Sequence, residues 1–119
     1  MAKTFPVTIY HNPKCGTSRN VLALIEEAGH PVTVVEYLKA GWTKPQLKTL
    51  FAAAGLSPRE AMRAKAKEAE ELGLLDAKVS DARILDAMIE HPILVERPFV
   101  ETPKGVRLCR PKETVEEIL

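Results

Sequence analysis

The chain has 119 residues with 17 basic and 16 acidic side chains, so its formal net charge is +1. This balance argues against a broad nucleic-acid surface, which carries a clear basic excess. No apolar run is long enough to span a membrane and no signal-peptide core follows the N-terminus, so we expect a cytoplasmic protein with no membrane partner. The length and the 45% hydrophobic content fit one globular domain over residues 1–119.

Cysteine and histidine are scarce in the chain. The two cysteines, Cys15 and Cys109, and three scattered histidines have no metal-ligand spacing. In the reducing cytoplasm both cysteines are expected to stay thiols. The sequence therefore predicts neither a metal site nor a structural disulfide.

The first third of the chain predicts a strand, a helix and a second strand. Apolar and polar side chains alternate over residues 5–10, as in a strand. Over residues 16–28 the apolar spacing becomes helical, and Gly29 follows as a helix-ending residue. Residues 32–37 are rich in β-branched side chains. The short links indicate a βαβ unit with parallel strands and a right-handed crossover.

The middle of the chain is predicted to be helical. Thr43 and Ser57 each begin a capping box, because a glutamine or glutamate follows three residues later. Ser80 is expected to cap a further helix over residues 81–90. The charged, alanine-rich residues 64–71 fit either a helix or a solvated excursion.

The pattern returns to strands after residue 92. Residues 99–102 and 106–109 flank a turn and predict a hairpin, and Pro111 begins a last helix. The resulting order, β-α-β, helical insertion, β-β-α, resembles the thioredoxin-like fold, an α/β fold with a four-stranded mixed sheet flanked by helices. In that fold a cis proline opens the third strand, so we expect a cis bond between Arg97 and Pro98.

The junction between the first strand and the first helix, residues 11–20, contains Cys15. A thiol at a helix N-terminus is favoured as thiolate by the helix dipole, and its polar neighbours favour a reactive thiol over a buried hydrophobic residue. Asn12 and Ser18 occupy the positions where a Cys-x-x-Cys motif would need its second cysteine. Val21 occupies the position of the arginine in a phosphatase-type phosphate loop. The sequence therefore excludes both a Cys-x-x-Cys dithiol site and a phosphatase-type phosphate loop at this junction.

Three arginines are candidates for binding an oxyanion beside the thiol. Arg97 and Arg110 each precede a proline, and Arg63 lies on a predicted mid-chain helix. A guanidinium group suits a tetrahedral oxyanion because its planar fork donates two parallel hydrogen bonds. Considered alone, each of the three is better explained as a solvated surface arginine or as half of a local ion pair, and it is the match to a family that selects them.

Five motifs follow one another in a collinear order over nearly the whole chain. They are HNPKCGTSRN at residues 11–20, ELGL at 71–74, HPIL at 91–94, RPFV at 97–100 and RLCRP at 107–111. Together they strongly resemble the glutathione/glutaredoxin-dependent arsenate reductases. The resemblance is most specific where the first and last motifs occur together.

The resemblance implies a role for each matching position. Cys15 would be the nucleophile that bonds to arsenic, and Arg63, Arg97 and Arg110 would bind arsenate and stabilise charge as oxygen leaves. His11 would support the cysteine, with a turn residue hydrogen-bonded to backbone as the alternative. Glutathione would then attack the arsenic as co-substrate, and glutaredoxin would resolve the product to release arsenite. The chemistry needs no metal and no bound organic cofactor.

Other interpretations stay open at this point. Cys109 is expected to be a packed strand residue, with a thiol that resolves Cys15 as the alternative. Spx-like redox regulators that bind RNA polymerase have a similar fold, but they typically carry a Cys-x-x-Cys switch at this turn. Here Asn12 occupies the position of the other cysteine. The stretch after Arg63 differs from the arsenate reductase pattern, which leaves open a related reductase acting on another oxyanion or a disulfide.

Overall fold

A computed structural model describes residues 4–119, which divide into two compact units. The first unit contains the residues up to Ala40 together with Arg97–Leu119, and the second contains Gly41–Glu96. The single domain expected over residues 1–119 stays a prediction. Each unit is described separately below.

The first unit is built on a four-stranded sheet. Its strands are β1 (Val7–His11), β2 (Val32–Glu36), β3 (Phe99–Thr102) and β4 (Gly105–Leu108). The spatial order is β2-β1-β3-β4. Strands β1 and β2 are parallel, whereas β3 is antiparallel to both β1 and β4. The predicted four-stranded mixed sheet, with helices inserted between its second and third strands, is confirmed.

The peptide bond between Arg97 and Pro98 is cis, as predicted for the start of the third strand. The bond between Arg110 and Pro111 is also cis, which was not predicted. Strand β3 has the predicted bounds, and the bounds of the other three strands differ from the sequence-based ones by one or two residues. Tyr37, for example, was assigned to the second strand but begins helix α2 (Tyr37–Ala40).

Helix α1 (Gly16–Glu27) packs into the core of the first unit. It ends at Ala28, and the following Gly29 has a φ of +82°, as expected of a helix-ending glycine. The core combines one face of β1, residues of the hairpin, the apolar stripe of α1 and the C-terminal segment. Its buried members are Val7, Ile9, Val21, Ile25, Val100, Cys109, Val115 and Ile118.

The C-terminal segment is a 3₁₀ helix, Lys112–Ile118, where an α-helix was predicted. Its buried residues are Val115 and Ile118, three positions apart. A 3₁₀ helix has three residues per turn, so this spacing places both side chains on one face. The predicted helix is therefore present, but it has the 3₁₀ period instead of the α-helical one.

The second unit is helical, as predicted. It contains α3 (Lys44–Ala54), α4 (Pro58–Ala61), α5 (Lys67–Glu71), α6 (Asp81–Glu90) and the 3₁₀ helix Pro92–Leu94. The capping boxes at Thr43 and Ser57 are both present, and the hydroxyl of Ser80 caps α6. These predictions succeed because each cap is a contact between residues three positions apart.

Two positions of the second unit differ from expectation. Residues 93–95 were expected to return to strand, but Pro92–Leu94 is a 3₁₀ helix and Val95 forms only an isolated bridge with Met62. Arg63 was placed on a helix, but α4 ends at Ala61. The Arg63 N–H instead donates to the carbonyl of Leu94 at 2.7 Å. This pairing between segments is not visible in local periodicity.

Arg59 anchors the segment that precedes α6. Its guanidinium donates to the carbonyl oxygens of Leu74, Asp76 and Val79 at 3.3, 3.0 and 2.8 Å. One side chain therefore satisfies three backbone acceptors of a segment without regular structure. It is neither a solvated surface arginine nor half of a local ion pair.

We predict that Arg59→Met lowers the free energy of unfolding by about 1–3 kcal/mol, because the three carbonyls lose a charged donor. Urea unfolding followed by circular dichroism measures the loss. Arg83→Met is the matched control, because Arg83 is exposed on α6 and should change stability by less than about 0.5 kcal/mol. Equal losses in the two variants would contradict the anchoring role.

Candidate active site

Four segments meet at one edge of the sheet. Strand register pairs His11 with Glu36, Tyr10 with Phe99, and Phe99 with Leu108. The C-terminal ends of β1, β2 and β4 therefore lie beside the N-terminal end of β3. This places the loop after β1, which carries Cys15, at the same edge as Arg97 and Arg110.

Besides the bond from the Asn12 N–H to Ser18 Oγ, three hydrogen bonds hold the loop after β1. The Cys15 N–H donates to the Asn12 carbonyl at 3.0 Å, and the Lys14 N–H donates to Asn12 Oδ1 at 3.0 Å. Arg19 Nη1 donates to the Pro13 carbonyl at 2.8 Å. The tight turn places Cys15 at the N-cap of α1, where its backbone is still extended. The predicted position of the thiol at the start of the helix is thus observed.

The surroundings of Cys15 lower the pKa of its thiol. Burial alone would raise that pKa, because it disfavours the charged thiolate. The Ser18 N–H, the charge of Arg97, the Arg110 guanidinium and the Thr17 N–H together outweigh burial. The two backbone N–H groups act as dipoles near the sulfur, since Cys15 makes no side-chain hydrogen bond with regular cap geometry.

Arg110 lies directly against the thiol. Its Nη1 is 3.8 Å from Cys15 Sγ, within hydrogen-bond range for sulfur, and donates to the Arg97 carbonyl at 3.1 Å. Arg110 is exposed and Arg97 is half-buried. Cys15 Sγ thus lies against the Arg110 guanidinium and close enough to Arg97 for that charge to act on the thiol, and this positively charged surface suits a small oxyanion.

Ser18 joins the end of β1 to the first turn of α1. Its hydroxyl lies 2.6 Å from His11 Nδ1 and accepts from the Asn12 N–H at 3.1 Å, and the residue is fully buried. Burial is the main cause that lowers the pKa of His11, and Arg19 adds to it against the opposing charge of Glu36. The His11 ring is therefore neutral at neutral pH and interacts with the serine hydroxyl.

Sequence analysis did not identify Ser18 as a site residue. A signal was available, because Ser18 falls on the same helical face as Val21 and Ile25. A polar residue on an apolar stripe needs a buried partner. That partner, His11, could be identified only from the structure.

Of the predicted site residues, the structure brings together Cys15, Arg97 and Arg110, with His11 one hydrogen bond away from Ser18. Arg63 lies in the second unit, half-buried in the segment after α4. Its part in the site stays a prediction, as do the roles of the other four.

Cys109 is chemically different from Cys15. It is fully buried in the core of the first unit, and its Sγ lies 3.6 Å from the Arg107 carbonyl. Burial, with a smaller contribution from Glu117, raises the pKa of this thiol to about 12, against the opposing charge of Arg107. A thiol in this environment stays protonated and is poorly suited to attack a disulfide or an arsenic adduct.

Over residues 4–119, no group of three or more His, Cys, Asp or Glu side chains is placed to hold a metal ion. No helix in the same range has both the length and the apolar character needed to cross a membrane.

The fold and site define a thioredoxin-like protein with an acidified cysteine at the start of its first helix. The profile of the ArsC family matches residues 10–118. The chain therefore belongs to the ArsC family.

Three relatives of this chain bear the name arsenate reductase. The chain is 65% identical to arsenate reductase ArsI2 of Synechocystis sp. over 113 residues, which are 95% of this chain and 81% of that protein. It is 50% identical to the arsenate reductase of Escherichia coli K12, over 95% of this chain and 80% of that one. The solved arsenate reductase from Vibrio cholerae superposes with a TM-score of 0.93 at 43% identity, covering 98% of this chain and 100% of that chain.

We predict that Ser18→Ala raises the pKa of Cys15, because the hydroxyl that ties the end of β1 to α1 is removed and the N–H groups at the sulfur lose their fixed position. Thiolate absorbance near 240 nm, recorded against pH, measures the shift. The variant should also lose about 1–3 kcal/mol of stability from the unsatisfied Asn12 N–H and His11 ring.

The control is Ser80→Ala, which removes the cap of α6 and should cost about 1 kcal/mol. It should leave the Cys15 titration unchanged. If both variants leave that titration unchanged, Ser18 has only a structural role.

We predict that iodoacetamide modifies Cys15 and spares Cys109 in the folded protein. Mass spectrometry should find one label in buffer and two in urea. The rate at Cys15 follows its thiolate fraction, so its midpoint should lie below the pKa of about 8.5 of a free cysteine. Equal labelling of both thiols in buffer would contradict the burial and high pKa of Cys109.

Proposed function

We propose that this protein reduces arsenate to arsenite, with Cys15 as its only catalytic cysteine and with glutathione and glutaredoxin as the electron donors. Cys15 acts as nucleophile, and Arg97 and Arg110, together with Arg63, hold the oxyanion. His11 acts on the thiol indirectly, through Ser18. The reaction uses no resident metal or organic cofactor, and we assign it to the cytoplasm, where glutathione keeps thiols reduced.

The observation that carries this proposal is the contact between Arg110 and the thiol. Arg110 Nη1 lies 3.8 Å from Cys15 Sγ, and the charge of Arg97 also lowers the pKa of the thiol. The proposed nucleophile thus lies beside two of the three arginines that we assign to the oxyanion. Relatives at 50–65% identity bear the name arsenate reductase, which supports arsenate as the oxyanion.

The first step joins sulfur to arsenic without changing the oxidation state. The Cys15 thiolate attacks arsenate, and one arsenate oxygen takes up two protons and leaves as water. The product is a cysteinyl thioester of arsenic(V). The arginines favour this step because they bind the oxygens on which charge builds up as the S–As bond forms.

The second step brings in glutathione. Its thiol replaces a hydroxyl group on arsenic, which leaves as water with the thiol proton, and arsenic remains arsenic(V). A glutaredoxin thiolate then attacks the glutathione sulfur and forms a mixed disulfide. The bond between the glutathione sulfur and arsenic breaks, and its electron pair stays on arsenic, which becomes arsenic(III). Water then hydrolyses the bond between the Cys15 sulfur and arsenic, which releases arsenite and restores the Cys15 thiol. Two external thiols supply both electrons, so Cys109 is not needed.

The test is arsenate-dependent NADPH oxidation with glutathione, glutathione reductase and glutaredoxin. We predict that Cys15→Ser abolishes turnover and that Arg110→Ala lowers kcat/KM for arsenate about 10²-fold, as for the loss of one charge-stabilising donor. Arg107→Ala is the matched control, because Arg107 lies three residues away and its Nε pairs with Glu117 at 3.2 Å. It should retain activity within about twofold.

Several outcomes would overturn the proposal. An absence of arsenate turnover in the wild type would refute the activity. Full turnover with thioredoxin in place of both glutathione and glutaredoxin would refute the coupling. A large loss of turnover in Cys109→Ala, with its fold intact, would refute the single-cysteine mechanism. Binding to RNA polymerase without arsenate turnover would instead favour the redox regulator.

A further inference from the structure

A depression of about 220 Å³ borders the loop after β1 on the β2 side. This loop carries Cys15 and is called the reactive loop below. It is lined by residues 11–14 and by Glu36, Leu38 and Lys39, which end β2 and form the first turn of α2. His11 pairs with Glu36 in the parallel register, so the lining residues that follow β1 and those that follow β2 lie at the same edge of the sheet. The turn that leads to Cys15 thus contributes four of the seven lining residues.

The depression and the two arginines, Arg97 and Arg110, lie on opposite flanks of the reactive loop. The strand order β2-β1-β3-β4 places Glu36 on one side of β1, and Arg97 and Arg110 on the other. An oxyanion held by the arginines therefore leaves the β2 flank unused. A second reactant that must reach arsenic bonded to Cys15 can approach from that flank.

The charges around the depression form a distinct pattern. Lys14 and Lys39 provide two cations and Glu36 provides one anion, while the His11 ring is neutral. Lys39 Nζ lies 3.7 Å from Glu36 Oε1, and the two side chains are 82% and 42% exposed. An exposed pair of this kind contributes little stability, so a ligand can separate it easily.

We propose that this depression is the docking site for glutathione, an inference that rests on the proposed function. Glutathione carries two carboxylates and one ammonium group, which match the two lysines and Glu36 in number and sign. Its net charge of −1 is opposite to the +1 of the three side chains. Leu38, 40% exposed, offers an apolar contact for the methylene groups of the peptide.

The size of the depression fits the chemistry of the second step. At about 220 Å³ it is smaller than the roughly 300–1,000 Å³ of pockets that enclose a drug-sized ligand. Glutathione therefore contacts the protein along one side only, and its sulfur stays accessible. That sulfur must bond to arsenic and then be attacked by glutaredoxin, so a fully enclosing pocket would block the last transfer of electrons.

The first experiment measures binding without arsenate. S-Methylglutathione, which cannot react, is titrated into the ¹⁵N-labelled protein, and amide shifts are recorded by NMR. We expect saturable shifts concentrated at Lys14, Leu38 and Lys39. Shifts elsewhere, or none up to high millimolar ligand, would overturn the docking site whether or not the protein reduces arsenate.

The second experiment measures turnover with Lys39→Glu. Reversing this charge should raise KM for glutathione about five- to tenfold, while KM for arsenate stays within about twofold. Lys48→Glu is the matched control, because Lys48 is an exposed lysine of α3 in the second unit, and its KM for glutathione should equal that of the wild type.

The two proposals can fail separately. An absence of glutathione-dependent arsenate turnover in the wild type refutes the function, and the NMR titration then decides the docking site. Turnover in the wild type with the same KM for glutathione in Lys39→Glu refutes the docking site and leaves the function standing. An equal rise in Lys39→Glu and Lys48→Glu also refutes it, because the effect would then come from net charge alone.

Discussion

The hydrogen bond from the Asn12 N–H to Ser18 Oγ is the contact on which the site depends. It ties the end of β1 to the first turn of α1 at 3.1 Å, inside the protein. A strand and a helix joined by a short loop can otherwise meet at a range of angles. With this contact in place the turn closes, Cys15 occupies the N-cap, and the N–H groups of Thr17 and Ser18 face its sulfur. The position of the thiol thus depends on the buried Ser18 in the first turn of α1.

The two cysteines show that surroundings, and not residue type, set thiol reactivity. Both are buried, and burial raises the pKa of each. At Cys15 the helix N-terminus and two arginines more than offset this effect, so the thiolate is favoured. At Cys109 the opposing charge of Arg107 is too weak, and the nearby Glu117 adds to the effect of burial. One chain therefore contains a thiol suited to attack and another suited only to packing.

The limits of prediction follow from the range of the interactions. The caps at Thr43, Ser57 and Ser80 depend on neighbours three residues away, so the sequence alone locates them. The βαβ unit and the hairpin follow from periodicity and turn residues. The hydrogen bonds of Arg59 span 15–20 residues and that of Ser18 joins two different elements, so neither leaves a local pattern. Arg97 and Arg110 became candidates through resemblance to a family, since no spacing relates them to Cys15.

The antiparallel hairpin explains how arginines so distant in sequence reach the thiol. Strand β3 runs antiparallel to β1, so the chain enters β3 at the edge where β1 ends, and Arg97 lies at that entry. Strand β4 returns to the same edge, and Arg110 follows it, 95 residues from Cys15. There, Arg110 Nη1 contacts both the Cys15 sulfur and the Arg97 carbonyl. A parallel β3 would enter the sheet at the opposite edge. The mixed character of the sheet therefore brings Arg97 and Arg110 to one flank of the loop that carries Cys15, with β2 on the other flank.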